Sequence, residues 1–112
     1  MEESILISIK KLLGFDEDYT AFDTDIIIHI NTTFMVLSQL GVGPTAGFRI
    51  QDASTTWNEY ITEESNLEGV KTYIYCKVKL IFDPPSNSAT IEALKQMINE
   101  FEWRLNIEAE SK

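Results

Sequence analysis

Two stretches of this chain place an apolar residue at every third or fourth position over several turns and then meet residues that cannot continue a helix. In the first, Ile26, Ile27, Ile30, Phe34, Leu37 and Leu40 recur at helical spacing up to Gly41. In the second, Leu67, Val70, Ile74, Val78 and Ile81 lead to Asp83-Pro84-Pro85. Proline there has no N–H to donate and forces its predecessor into extended geometry. The triplet Ile26-Ile27-Ile28 is β-branched and alone would suit a strand. The period continues and both ends are punctuated, so the spacing predicts a helix capped by Asp23 or Thr24 and running to Leu40. A third stripe, Ile91, Leu94, Ile98, Phe101 and Leu105, has the 3-4-3-4 rhythm of helix–helix seams and predicts a last helix from Ala89 to Glu108. Amphipathic helices bury their stripes against one another, and the fold class that follows is all-α.

The shorter elements read from punctuation. Ile5, Ile9, Leu12 and Leu13 predict a helix from Glu3 to Leu13, with an acidic start, Lys10 and Lys11 in the last turn, and Gly14 as the stop. A loop from Phe15 to Phe22 carries Asp16, Glu17 and Asp18. In the next irregular stretch, Gly43-Pro44, Gly47 and Asp52 mark turns, and Phe48-Arg49-Ile50 suits a short extended piece. A short helix is expected from Thr55 to Ile61, presenting Trp57, Tyr60 and Ile61. Ser65 and Glu68 have the spacing of a capping box that opens the helix ending at Phe82, whose stripe Tyr73, Tyr75 and Phe82 widen. The expectation is a compact bundle of four to five helices, three long and one or two short, with an irregular loop around residues 42–54. A chain of 112 residues has room for one core, so residues 1–112 are read as one domain.

Charge narrows the function. Eighteen acidic residues against nine basic leave a net charge of −9. Binding nucleic acid as an isolated domain needs a basic footprint, and beyond Lys10-Lys11 and Lys77/Lys79 there is no basic cluster. An acidic surface is still compatible with a protein that surrounds DNA and lets it slide. The start Met1-Glu2-Glu3 has neither the basic n-region nor the cleavage site of a signal peptide, and no apolar run reaches membrane-spanning length. A soluble protein of the reducing cytosol, without membrane contact, is the expectation.

Catalytic and metal chemistry find little support. Cys76 is the one cysteine and His29 the one histidine, too few for a zinc site. The carboxylates Asp16-Glu17-Asp18 and Asp23/Asp25 lack the spacing of a calcium loop, and Asp23 and Asp25 suit a helix start. No Ser, Cys or Asp partner can be assigned to His29 by spacing. Cys76 reads as a small packing residue. Gly41-Val42-Gly43-Pro44 follows a helix, so its amides do not offer a helix N-terminus to phosphate. No catalytic residue, cofactor or metal is expected.

Aromatics are abundant, and core filling claims most of them. Phe101 and Trp103 lie two apart and point about 200° from each other on a helix, so one of them faces away from the main seam. That implies a second packing surface or a subunit interface.

Several runs carry a resemblance to a known family. They are Ile9-Lys10-Lys11-Leu12-Leu13-Gly14, Phe22-Asp23-Thr24-Asp25-Ile26-Ile27, Gln39-Leu40-Gly41-Val42-Gly43-Pro44 and Thr56-Trp57-Asn58-Glu59-Tyr60. The most specific are Tyr73-Ile74-Tyr75-Cys76-Lys77-Val78-Lys79-Leu80-Ile81-Phe82-Asp83-Pro84-Pro85 and Glu100-Phe101-Glu102-Trp103-Arg104-Leu105. Over nearly its whole length the chain resembles the head–tail connector, or adaptor, proteins of tailed phages and prophages of Gram-positive bacteria, also described as DNA-packaging proteins. The resemblance implies a non-enzymatic helical bundle that joins copies of itself in a ring of about a dozen beneath the portal protein. Such a ring extends the DNA channel and docks the stopper, head-completion or tail protein. DNA would pass through without sequence-specific binding. Assembly would take place in the bacterial host cytoplasm, and the final location would be the virion head–tail junction. The residues expected at subunit contacts are Trp57 and Tyr60, Phe48 and Arg49 within the loop Val42 to Asp52, and Trp103 with Arg104. The polar tail Asn106 to Lys112 is expected to be mobile until it meets the portal. The competing reading is a monomeric helical domain that binds one host or phage protein through the same aromatics.

Overall fold

The computed structural model describes residues 4–44, 46–60 and 64–110, the side chains of residues 64–66 and 110 excepted. Among them are five helices: α1 (Ile5–Leu13), α2 (Asp23–Gln39), α3 (Trp57–Tyr60), α4 (Glu64–Phe82) and α5 (Ser88–Glu110). The chain is all-α, three helices long and two short; among the described residues the one strand-like feature is an isolated bridge between Ser4 and Thr56. Helix α4 is the central element, packed against α2 on one side and α5 on the other, with α1 across α4 and α2.

The ends of the helices follow local chemistry. Ser4, in extended geometry, caps α1 by accepting a hydrogen bond from the Ile7 amide at 3.2 Å. The first turn of α1 holds no acid, and the expected Glu3 lies outside the described residues, as do Ile61 and the Ser65 side chain of the expected capping box. Gly14 closes α1 at φ +93°. Gly41, at φ +88°, closes α2 with the paired bonds of a Schellman ending: its amide donates to the Ser38 carbonyl and Val42 donates to Leu37. Neither Asp23 nor Thr24 caps α2. Phe22 occupies that position with no side-chain cap, because Asp23 turns toward Lys10. Asn87 caps α5 through the amides of Ala89 and Thr90.

Ile26, Ile30, Phe34 and Leu37 of α2, Val70, Tyr73, Ile74 and Val78 of α4, and Leu94, Ile98 and Leu105 of α5 belong to one buried core where α4 packs against both other helices. Cys76 is buried among them. Burial pushes its thiol above the usual range, which favours the unreactive protonated form. Ile81, expected on the α4 stripe, is instead exposed, and Tyr73 takes the inward place. A helix stripe is wider than any single partner, so the neighbours decide which rim residue is covered. The tail expected to be mobile from Asn106 to Lys112 is helical over its described part, and residues 111–112 lie outside the described residues. Helix α5 continues to Glu110, Asn106 Nδ2 donates to the Leu40 carbonyl at 3.2 Å, and Ala109 lies against Gly41.

Asn31 organises the irregular loop. Its side-chain oxygen accepts from the Ile50 amide at 2.7 Å and its Nδ2 donates to the Ile50 carbonyl at 2.9 Å. One side chain thus satisfies both backbone groups of a buried residue, as a neighbouring strand would.

Candidate functional site

The sequence-predicted contact residues do not converge on one place. Trp57 is buried, its indole N–H donating to Ser8 Oγ at 3.0 Å and the Lys71 ammonium lying 5.5 Å from the ring. Ser8 in turn donates to the Ser4 carbonyl at 2.6 Å, so Trp57 ties α3 to the first turn of α1. Tyr60 is buried too, and Phe48 is half-buried against it. The rings of Phe34, Phe48 and Tyr60 lie 4.6 to 5.1 Å apart in tilted and edge-on arrangements that anchor the loop to α2. Among the described residues the Tyr60 hydroxyl is buried without a hydrogen-bond partner, and burial holds the phenol well above its ordinary pKa. These three side chains serve the monomer's own packing in this conformation.

Arg49, Trp103 and Arg104 are exposed. The two aromatics of α5 separate as their spacing requires: Phe101 lies against Gly69 of α4, while Trp103 points away and is 65% exposed. Ile107, one turn on, is also exposed, and Arg104 forms a paired contact with Glu100 at 2.6 Å on the same helix. Helix α2 offers a second outward face, with Thr24, Ile28, Thr32, Met35 and Gln39 exposed at helical spacing. None of these is charged, and residues 26–48 contain no Asp, Glu, Lys or Arg.

A third surface was missed in the sequence. The loop after α1 and the end of α4 gather Phe15, Tyr19, Phe22 and Phe82 with ring centroids 5.5 to 6.1 Å apart, Phe15 and Tyr19 stacked and Phe22 edge-on to Phe82. His29 adds its ring 6.2 Å from Phe82. Tyr19 is 47% and Phe22 39% exposed, so the cluster reaches the surface. Beneath it lies Lys10, only 1% exposed, with its ammonium 3.0 Å from the Glu17 carbonyl and 2.9 Å from Asp23 Oδ1. Asp23 Oδ1 is itself buried and makes no aligned hydrogen bond, so the ammonium charge is its compensation. The signal available in sequence was three aromatics at positions 15, 19 and 22 of a loop, a place where core filling is no default explanation.

Among the described residues no group of three or more His, Cys, Asp or Glu is placed to hold a metal ion, and no helix is long and apolar enough to cross a membrane.

Comparison with known families finds a match to one model, described as phage connector protein, over residues 5–112. No curated protein and no solved structure matches the chain.

Proposed function

This chain belongs to the phage connector protein family, and from that premise we propose that it is a structural, non-enzymatic head–tail connector acting as one domain over residues 1–112. In this reading copies join in a ring of about a dozen under the portal protein, lengthen the DNA channel and receive the stopper or tail protein. They assemble in the host cytoplasm and remain at the virion head–tail junction. The observation that carries the reading is the extent of the family match, which takes in every helix.

Two surface features support self-assembly. Copies that each carry −9 repel one another unless they meet through neutral faces, and the outward stripe of α2 is neutral, with Ile28 and Met35 each more than half exposed. Trp103 and Ile107 provide an apolar contact on the opposite partner of α4. Two different faces suit the head-to-tail contact that closes a ring. The acidity itself suits a channel wall that does not grip DNA.

The test is co-expression with a phage portal protein, followed by electron microscopy and native mass measurement. A ring-shaped complex is expected. Trp103→Ala should weaken the ring and leave the melting temperature of the monomer within a few degrees, because an exposed side chain contributes little to the core. A complex with a single copy bound to one partner would favour the monomeric adaptor, and no complex at any concentration would sink the connector assignment.

A further inference from the structure

The aromatic cluster at Phe15, Tyr19, Phe22 and Phe82 is a surface feature to which the ring reading assigns no role. Its rings are held in place. The amide of Phe15 donates to the Lys10 carbonyl at 2.9 Å, Tyr19 to Asp16 at 3.1 Å and Asp23 to Thr20 at 3.2 Å, while the Lys10 ammonium ties Glu17 and Asp23 from below. A loop fixed in this way spends little ordering entropy on binding. Exposed aromatics on such a support are costly to leave in water and are a usual mark of an interaction site.

The rim states the partner's chemistry. Asp16, Glu17 and Asp18 stand between Phe15 and Tyr19, Asp25 follows Phe22 by three positions and Asp83 follows Phe82, and all five are exposed. Two nearby cations are already engaged: Lys10 by Asp23 and Glu17, and Lys79 by Asp83 at 3.0 Å. We infer that this patch docks a segment of a different protein chain that carries two or more Lys or Arg residues around an apolar or aromatic anchor. The anchor packs among the rings, the cations meet the carboxylates, and an arginine can also stack on Tyr19 or Phe22. A second copy of this chain is a poor occupant, because it would bring net −9 to an acidic rim. DNA and anionic membranes are repelled for the same reason. The inference stands on the patch alone, so it and the ring reading can fail separately.

The experiment uses the full chain, isotope-labelled for amide NMR, and three synthetic twelve-residue probes. One is basic and apolar, with Lys, Arg, Leu and Trp; one is basic without apolar residues; one is acidic and apolar. The expected result is binding of the first alone, with shifts confined to residues 15–25 and 79–85. Tyr19→Ser should weaken it roughly tenfold, as loss of a central aromatic contact does. The triple variant Asp16→Asn, Glu17→Gln, Asp18→Asn, all at exposed positions, should fold normally, weaken binding severalfold at low ionic strength and flatten its salt dependence, since screened charges carry that part. Equal binding of the purely basic probe, shifts mapping elsewhere, or affinity unchanged in both variants would each overturn the proposal.

Discussion

Lys10 on α1 and Asp23 at the start of α2 form an ion pair 2.9 Å long, and the lysine is almost wholly buried while the aspartate retains about a quarter of its side-chain exposure. The pair joins the end of one helix to the beginning of the next across the loop that carries Phe15, Tyr19 and Phe22. A buried ammonium is tolerable because the Glu17 carbonyl supplies a second partner. The same interaction explains why α2 starts without a side-chain cap: the carboxylate that could have capped it is turned to Lys10, where it meets a full charge rather than an amide.

Removing one member should therefore cost more than an ordinary surface pair. Lys10→Met leaves the partly buried Asp23 carboxylate uncompensated, and a loss of about 2–4 kcal/mol is expected in urea unfolding. Hydrogen exchange of amides in residues 15–22 should speed up even where the rest of the chain remains protected. Protection unchanged in that loop would show that Lys10 does not hold it.

Asn31 is expected to be equally sensitive for a different reason. Asn31→Ala withdraws two hydrogen bonds from the backbone of buried Ile50 and should cost about 2–3 kcal/mol in thermal or urea unfolding. Asn31→Asp keeps the acceptor for the Ile50 amide but faces its carbonyl with a charge, so it should not restore stability.

Two glycines separate backbone strain from collision. Gly43 and Gly47 both lie at φ +88°, but a Cβ on Gly43 would sit 2.6 Å from the Tyr60 ring whereas one on Gly47 meets nothing within 4 Å. Gly47→Ala should cost about 1–2 kcal/mol, the left-handed penalty alone. Gly43→Ala should cost clearly more, about 3 kcal/mol, because a ring packed on Phe34 and Phe48 must move. Tyr60→Phe removes a buried hydroxyl with no partner among the described residues and should be neutral or stabilising by up to about 1 kcal/mol. Equal losses for the two glycine variants would remove the collision from the account.

Alkaline pH should weaken the fold through its tyrosines. Burial raises the pKa of both Tyr60 and Tyr73, and Tyr73 is raised further by donating to Glu102 at 2.7 Å. The unfolded chain releases these protons near the ordinary value of 10.0, while the folded chain retains them. Their contribution is thus complete below about pH 10 and is lost as pH rises beyond it. Tyr73→Phe should cost about 1–2 kcal/mol at neutral pH, and the gap between variant and wild type should narrow in unfolding measurements taken from pH 9 to pH 11. A gap that stays constant across that interval would contradict the raised phenol.

Much of the fold was legible because helices are local. The 3.6-residue period at Ile26–Leu40, Leu67–Ile81 and Ile91–Leu105, together with Gly14, Gly41 and Pro84-Pro85, determined where the helices run and that the chain is all-α, for these signals depend only on residues within a turn or two of each other. The opposed directions of Phe101 and Trp103 followed from the same geometry. Which side chains are covered was decided by tertiary structure alone. Trp57 and Tyr60, expected at subunit contacts, are buried within the single chain because Ser8 and the Phe34–Phe48 rings are there to receive them. Ile81, expected inside, lies outside. The aromatic patch, Lys10–Asp23 and Asn31–Ile50 each join residues from different elements or from a loop with no period, and sequence spacing carries no information about such pairs. The helices are therefore a property of the sequence read locally, and the binding surfaces are a property of how those helices meet.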